Sequence, residues 1–135
     1  MSAELEMVLR LLLAVGLGSI IGLEREHARK PAGLRTHLLV CVGAALFTIA
    51  SIYGFGEGAD AARVAAGVVA GIGFLGAGTI ISVRGGLLAG LTTAASIWAV
   101  AAIGLAAGAG LYIPASVATV IIVIILMIPK RIGGE

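Results

Sequence analysis

The segment from Leu87 to about Ala107 contains no charged residue, and four other apolar stretches of similar length accompany it. Each can form a membrane helix, because about 20 residues rising about 1.5 Å each cross a hydrocarbon core of about 30 Å. Of the 135 residues, 60% are hydrophobic and 12% are charged, whereas about 25% of a soluble domain is charged. The chain is therefore predicted to be an integral membrane protein.

Charged residues and prolines divide the chain into five predicted transmembrane helices. These run from about Leu5 to Leu23, Leu34 to Tyr53, Arg63 to Ile81, Leu87 to Ala107 and Tyr112 to Ile128. Pro114 marks the start of the fifth helix and Pro129 marks its end, because proline suits a first helical turn and resists continuing a helix. Strands of a membrane barrel alternate polar and apolar residues, which these segments do not. The prediction is an all-α, polytopic protein forming a single domain over residues 1–135.

Positive charge is distributed unevenly along the chain, and this predicts the orientation. One side of the bundle carries most of the nine Lys and Arg residues: Arg25, Arg29, Lys30, Arg35, Arg84, Lys130 and Arg131. The other side has Arg10 and Arg63, each at a helix edge. The N-terminus is therefore predicted outside and the C-terminus in the cytoplasm. The N-terminal residues include Glu4 and Glu6 instead of a cationic signal region, so the first helix is expected to be retained.

Several of the 21 glycines are spaced for close contact between helices. Membrane helices associate by close packing, which small residues permit. Four Gly-xxx-Gly pairs lie in or beside the predicted helices: Gly18/Gly22, Gly67/Gly71, Gly86/Gly90 and Gly104/Gly108. The dense set Gly71, Gly73, Gly76 and Gly78 predicts a bend or opening in helix three. These faces exceed what five helices need internally, so a homodimer is expected, which leucine at Gly67 or Gly71 would disrupt.

Glu24 is one candidate metal ligand. It lies three residues before His27 on the same helix face, the spacing of carboxylate–histidine metal sites. The alternative is local ion pairing of Glu24, Arg25 and Glu26, with the basic residues at 29 and 30 near anionic lipid headgroups.

Asp60 is the second candidate, at the start of helix three. Together with Glu57 it offers oxygen ligands of the kind that a hard divalent cation such as magnesium prefers. The alternative is a helix cap with an ion pair to Arg63, which the helix dipole favours.

Other polar residues predict no catalysis. The two histidines, His27 and His37, lie in a basic loop without a nucleophile beside them. Thr92 and Ser96 share a face of helix four, where hydroxyls usually bond carbonyls of their own helix. The Gly-x-Gly-x-x-Gly at 71–76 lacks the strand and the downstream acid of a dinucleotide site, and no aromatic-interleaved basic patch predicts nucleic-acid binding.

Two apolar positions carry expectations about packing. The single cysteine, Cys41, is expected to pack as a small core residue. Trp98 lies near the middle of the fourth span and is expected to face protein.

Several sequence blocks in one order resemble the MgtC/SapB family of bacterial inner-membrane proteins. The blocks are Gly22-Leu23-Glu24-Arg25, Ala32-Gly33-Leu34-Arg35-Thr36, Gly43-Ala44-Ala45-Leu46-Phe47, Asp60 with Arg63-Val64-Ala65-Ala66, Gly71-Ile72-Gly73-Phe74-Leu75-Gly76-Ala77-Gly78, and Gly90-Leu91-Thr92-Thr93-Ala94-Ala95 with Trp98. The sequence differs from the family at His37, where asparagine is frequent, and at Ala61, where proline often follows the aspartate. MgtC also carries a cytoplasmic C-terminal domain, whereas this sequence stops at Glu135.

The resemblance implies five membrane helices with the N-terminus outside, a role in magnesium limitation and, in pathogens, survival inside host cells. It places Glu24, Arg35, Asp60, Arg63 and Thr92 within family motifs. Two functions follow as hypotheses. The first is a non-enzymatic regulator of partner membrane proteins such as an ATPase. The second is a small magnesium or other cation transporter.

In the transporter hypothesis, Asp60 lies at the entrance and the glycine-rich segment lies near the constriction. Permeation requires polar groups along a path. Between Arg63 and Arg84 the chain offers polar side chains only at Thr79 and Ser82, so the regulator is preferred.

Overall fold

Five helices account for nearly all of the regular structure in the computed structural model, which describes residues 2–82 and 88–129. They are α1 (Ala3–His27), α2 (Leu34–Tyr53), α3 (Ala61–Ala77), α4 (Leu91–Gly108) and α5 (Tyr112–Leu126). Two-residue strands β1 (Ile81–Ser82) and β2 (Leu88–Ala89) pair antiparallel between α3 and α4. The predicted all-α, five-helix class is confirmed. The charge and glycine arguments also used residues outside the described part: Arg84, Gly86, Lys130 and Arg131.

The predicted boundary between helices three and four is wrong. α3 ends at Ala77 instead of Ile81, and α4 begins at Leu91 instead of Leu87. The two short strands lie between the end of α3 and the start of α4. Gly90, the N-cap of α4, has a φ of +90°. A Cβ at Gly90 would lie 2.0 Å from a carbonyl oxygen of the turn after α3. Short apolar runs suit a helix or a strand equally, so hydropathy alone does not separate them.

α2 and α4 form the centre of the bundle, and α1 packs against both. α3 contacts α4 and α2, whereas α5 contacts α4 and α1. The core consists of small and aliphatic side chains, and the fully buried ones include Ala14, Cys41, Ala45, Val100 and Ala107. Cys41 therefore packs as a small core residue, as expected.

Two of the Gly-xxx-Gly pairs bring backbones into contact within the chain. A Cβ at Gly104 would lie 2.1 Å from the Cys41 carbonyl oxygen, and one at Gly108 would lie 2.5 Å from another α2 carbonyl oxygen. From α1, a Cβ at Gly18 would lie 2.8 Å from Cys41 Cβ, and one at Gly22 would lie 2.9 Å from an α2 Cα. The prediction that glycines permit close helix packing is therefore confirmed for these two pairs.

The glycines of α3 behave differently. Apart from the adjoining backbone of α3 itself, no atom of the described chain lies within 4 Å of a Cβ added at Gly67, Gly71 or Gly73. Gly76 packs against α4, and Gly78 forms the C-cap of α3. The helix runs without interruption through the earlier glycines, so the predicted opening is not present at Gly71 or Gly73.

Three helices, α1, α2 and α4, are long and apolar enough to cross a membrane. α5 has 15 residues, which rise roughly 22 Å and do not span a core of about 30 Å unaided. Large apolar side chains point outward, including Phe74 (87% exposed) and Ile113 (77% exposed). Trp98 belongs to this outer surface, with 54% of the residue exposed. The expectation that Trp98 packs against protein is therefore not met within the described chain.

Candidate functional site

Charged side chains gather in two clusters at opposite ends of the bundle. Arg10 and Arg25 are the centres of the clusters, and both belong to α1. Fifteen residues of helix separate them, a rise of roughly 22 Å. Ionisable groups within apolar segments are costly to desolvate and are functional candidates by default.

The Arg25 cluster lies at the end of α1. Arg25 is only 2% exposed, and it donates from Nε to Glu24 Oε1 at 2.6 Å and from Nη2 to Glu24 Oε2 at 3.0 Å. Nη2 also lies 3.4 Å from the Leu126 carbonyl oxygen at the end of α5. The buried Nη1 has no hydrogen-bond partner among the described residues. The local ion pair expected between Glu24 and Arg25 is therefore present, and it occupies both carboxylate oxygens.

His37 links the start of α2 to α4 beside this ion pair. It is fully buried, with Nδ1 2.8 Å from the Gly33 carbonyl oxygen and Nε2 2.9 Å from Ser96 Oγ. Ser96 Oγ also lies 2.8 Å from the Thr93 carbonyl oxygen. A neutral ring with its proton on Nδ1 donates to Gly33, and its Nε2 then competes with the Thr93 carbonyl oxygen for the single Ser96 hydroxyl proton.

The Arg10 cluster fastens the opposite end of the bundle. Arg10 donates from Nε to Glu6 Oε1 at 3.2 Å and from Nη1 to the Gly108 carbonyl oxygen at 3.0 Å. The Tyr112 hydroxyl donates to the same Glu6 oxygen, and the guanidinium carbon lies 5.3 Å from the centroid of the Tyr53 ring. This cluster therefore joins α1 to the end of α2 and to the α4–α5 connection.

Apart from the Glu24–Arg25 pair, sequence patterns do not predict the contacts of these clusters. The sequence indicates Arg10 as a charge at a helix edge and His37 as a loop histidine, whereas the structure places His37 within α2 and gives both residues distant partners. Their partners in α4 and α5 are about sixty to a hundred positions away in sequence, so local spacing gave no sign of them. The available signal was the presence of Glu6, Arg10 and His37 inside or beside apolar segments.

Asp60 is the N-cap of α3. Its Oδ1 accepts a hydrogen bond from the Ala62 backbone N–H at 3.0 Å, as the capping hypothesis predicted. Asp60 and Arg63 are both exposed, and their side chains form no ion pair in the described part of the chain. Arg35 is exposed at the start of α2, and Thr92 is half-buried at the start of α4. The structure therefore does not bring the motif residues together into one site.

Glu24 and Asp60 do not belong to a larger cluster of metal-binding side chains in the described part of the chain. Residues 2–82 and 88–129 contain no group of three or more His, Cys, Asp or Glu side chains placed to hold a metal. Glu24 is engaged by Arg25, and Asp60 lies alone at its cap. Mg²⁺ that keeps most of its water shell needs only one or two carboxylates, so Glu24 and Asp60 stay predicted ligands.

The interior between the two clusters is apolar. Ala14, Cys41, Ala45 and Val100 are all fully buried there. The buried hydroxyls of Thr48 and Thr119 bond carbonyls of their own helices, each at 2.8 Å. The described part of the bundle therefore contains no continuous line of polar groups from one end to the other.

These features define a five-helix integral membrane protein with a buried arginine at one end of the bundle and a partly buried arginine at the other. A family model described as the MgtC family matches residues 11–134. The chain belongs to the MgtC family, which confirms the resemblance seen in the sequence.

Relatives in several bacteria share about half of their aligned residues with the chain. "Putative magnesium transporter YhiD" of Escherichia coli is 50% identical over 114 residues, which cover 79% of this chain and 53% of that protein. "Protein MgtC" of Brucella abortus is 50% identical over 107 residues, covering 79% and 44%. "Protein SrpB" of Synechococcus elongatus is 46% identical over 115 residues, covering 76% and 63%. The chain thus spans about half the length of the curated relatives it matches. No solved structure matches it.

Proposed function

We propose that this protein is a non-enzymatic inner-membrane protein that supports adaptation to low magnesium by regulating a partner membrane protein such as an ATPase. Family membership and the printed name of the E. coli relative support the link to magnesium. The observation that carries the regulatory role is the apolar interior between the Arg10 and Arg25 clusters. Ion conduction requires polar groups or water along the path, and the described interior offers neither a polar lining nor a metal cage.

The second candidate function is a small transporter for magnesium or another cation. It is favoured by the name of the E. coli relative and by the exposed Asp60 carboxylate at the start of α3. Magnesium uptake by liposomes containing the purified protein separates the two functions. The regulatory proposal predicts uptake equal to that of empty liposomes. Uptake clearly above that level would contradict the regulatory proposal and support the transporter function.

Asp60→Ala tests the family motif at the start of α3. The variant is expected to insert normally, because the loss of an exposed N-cap costs only about 1 kcal/mol. It is expected to fail to support growth at low magnesium. Asp60→Asn, which retains the cap without the charge, separates the two roles of this side chain. If both variants support growth like the wild type, Asp60 is a helix cap and the functional site lies elsewhere.

The proposed orientation places the N-terminus outside the cell. In a background with the buried Cys41 replaced by alanine, a cysteine at Ala59 is expected to react with a membrane-impermeant thiol reagent in intact cells. A cysteine at Gly85 is expected to react only after the cells are opened. The reverse pattern would invert the proposed topology.

We also infer a homodimer in which the two copies contact each other through the outer face of α3. Gly67 and Gly71 line a groove beside α2, whereas Ala66, Ala70 and Gly73 are exposed on the opposite side of the helix. Small residues permit close contact between membrane helices, so Gly73→Leu is expected to shift the native mass spectrum from dimer to monomer. A monomer for the wild type in mild detergent would contradict the inference.

A further inference from the structure

An apolar groove runs along the outside of the bundle between α2 and α3. Its volume is about 630 Å³, within the range of small-molecule sites, which is about 300–1,000 Å³. Residues from α2 (Leu39, Gly43, Phe47) and α3 (Gly67, Gly71, Leu75) line it. It exists because Gly67 and Gly71 have no side chain to fill it and, apart from the adjoining backbone of α3 itself, nothing lies within 4 Å of a Cβ added there. Leu39 and Phe47 on its rim are 72% and 62% exposed.

A polar pocket of about 290 Å³ lies at one end of this groove. Leu39 lines both spaces, so the apolar groove leads into the polar pocket at that residue. The polar residues that line the pocket are Arg35, Thr36 and Glu26. Glu26 Oε1 accepts from the Leu34 backbone N–H at 3.0 Å. Arg35 and Glu26 are both exposed and form no ion pair with each other.

We propose that the groove and the polar pocket together bind one phospholipid whose headgroup carries both a phosphate and a primary ammonium, that is, a phosphatidylethanolamine. The phosphate lies against Arg35 and the Thr36 hydroxyl, which are respectively a charge-assisted and a neutral donor. The ammonium lies against Glu26, whose second carboxylate oxygen remains available. One acyl chain follows Leu39 into the groove and covers Gly67 and Gly71.

Charge complementarity selects this occupant. The pocket holds one cation and one anion that do not satisfy each other, which matches a zwitterionic headgroup with hydrogen-bond donors on its ammonium. The glycerol headgroup of phosphatidylglycerol is uncharged and offers Glu26 only neutral hydroxyl donors, and a choline headgroup has no N–H to donate. An apolar helix face of a second copy would cover the groove without matching either charge. This inference is independent of the role in magnesium adaptation.

Native mass spectrometry of the purified full chain tests the proposal. The protein is delipidated and then mixed separately with phosphatidylethanolamine, phosphatidylglycerol or phosphatidylcholine of identical acyl chains. One retained phosphatidylethanolamine per chain is expected, with affinity about tenfold above that for the other two, the factor for one charge-assisted contact. Equal retention of all three lipids would overturn the headgroup assignment. Free phosphoethanolamine at equal concentration is expected not to displace the lipid. Displacement would show that the groove does not contribute to binding.

Variants assign each part of the site. Arg35→Gln is expected to weaken all three phospholipids about tenfold, whereas Glu26→Gln keeps the acceptor for Leu34 and removes only the preference for phosphatidylethanolamine. Gly71→Leu fills the groove and is expected to abolish retention, with Gly16→Leu in α1, an exposed glycine with open space around it, as its matched control. Arg29→Gln controls for general charge. Unchanged lipid binding in Gly71→Leu, or conversion of a dimer to a monomer by that variant, would show that lipid does not occupy the groove.

Discussion

Gly104→Ala is expected to lower the midpoint of thermal unfolding in mild detergent by on the order of 10 °C, which corresponds to about 3 kcal/mol. The added Cβ would lie 2.1 Å from the Cys41 carbonyl oxygen and 2.9 Å from the carbonyl carbon. These are backbone atoms of the neighbouring helix, so no flexible side chain can move aside. α4 has to separate from α2, and the close contact at the centre of the bundle is lost.

Gly67→Ala is the matched control for this prediction. The same change is made in a membrane helix, but apart from the adjoining backbone of α3 itself no atom of the described chain lies within 4 Å of the added Cβ. Alanine is favoured over glycine in a helix by about 1 kcal/mol, so the unfolding midpoint is expected to stay the same or rise. If both variants lost equal stability, the α2–α4 contact would not be the cause.

Glu24→Ala is expected to cost about 3–5 kcal/mol, because it leaves the buried Arg25 guanidinium without its ionic partner. Arg25 is 2% exposed and already has one nitrogen, Nη1, without a hydrogen-bond partner in the described part of the chain. Thermal unfolding in detergent measures the loss. Glu4→Ala, at an exposed acid in the first turn of the same helix, is expected to change stability by no more than about 0.5 kcal/mol.

The double variant Glu24→Ala/Arg25→Met separates stability from function. Replacing a buried ion pair with apolar side chains is often neutral or stabilising, so the unfolding midpoint is expected to recover. Growth at low magnesium is expected to recover with it if Glu24 serves only the ion pair. Recovery of stability without growth would assign Glu24 a contact with magnesium or a partner. A double variant as unstable as the single one would contradict the account of the buried pair.

Hydropathy determined the number of helices and most of their extents, because the apolar length needed to cross a bilayer is a local property of the chain. α2 occupies its predicted span. The connection from α3 to α4 was mispredicted, since short apolar runs fit a strand as well as a helix. At its end lies Gly90, where a left-handed backbone and the nearby turn after α3 leave no room for a side chain.

The sequence by itself determined that this is a five-helix membrane protein of the MgtC family, and it identified the local interactions, such as the Glu24–Arg25 pair and the Asp60 cap. Only the tertiary structure decided which glycines contact other helices. Gly67/Gly71 and Gly104/Gly108 have the same spacing, but the second pair meets α2 and the first faces an open groove. The structure also joined His37 to Ser96 and Arg10 to Tyr112 through Glu6. Spacing fixes the face of a helix on which a residue lies, whereas the partner across that face depends on how the helices assemble.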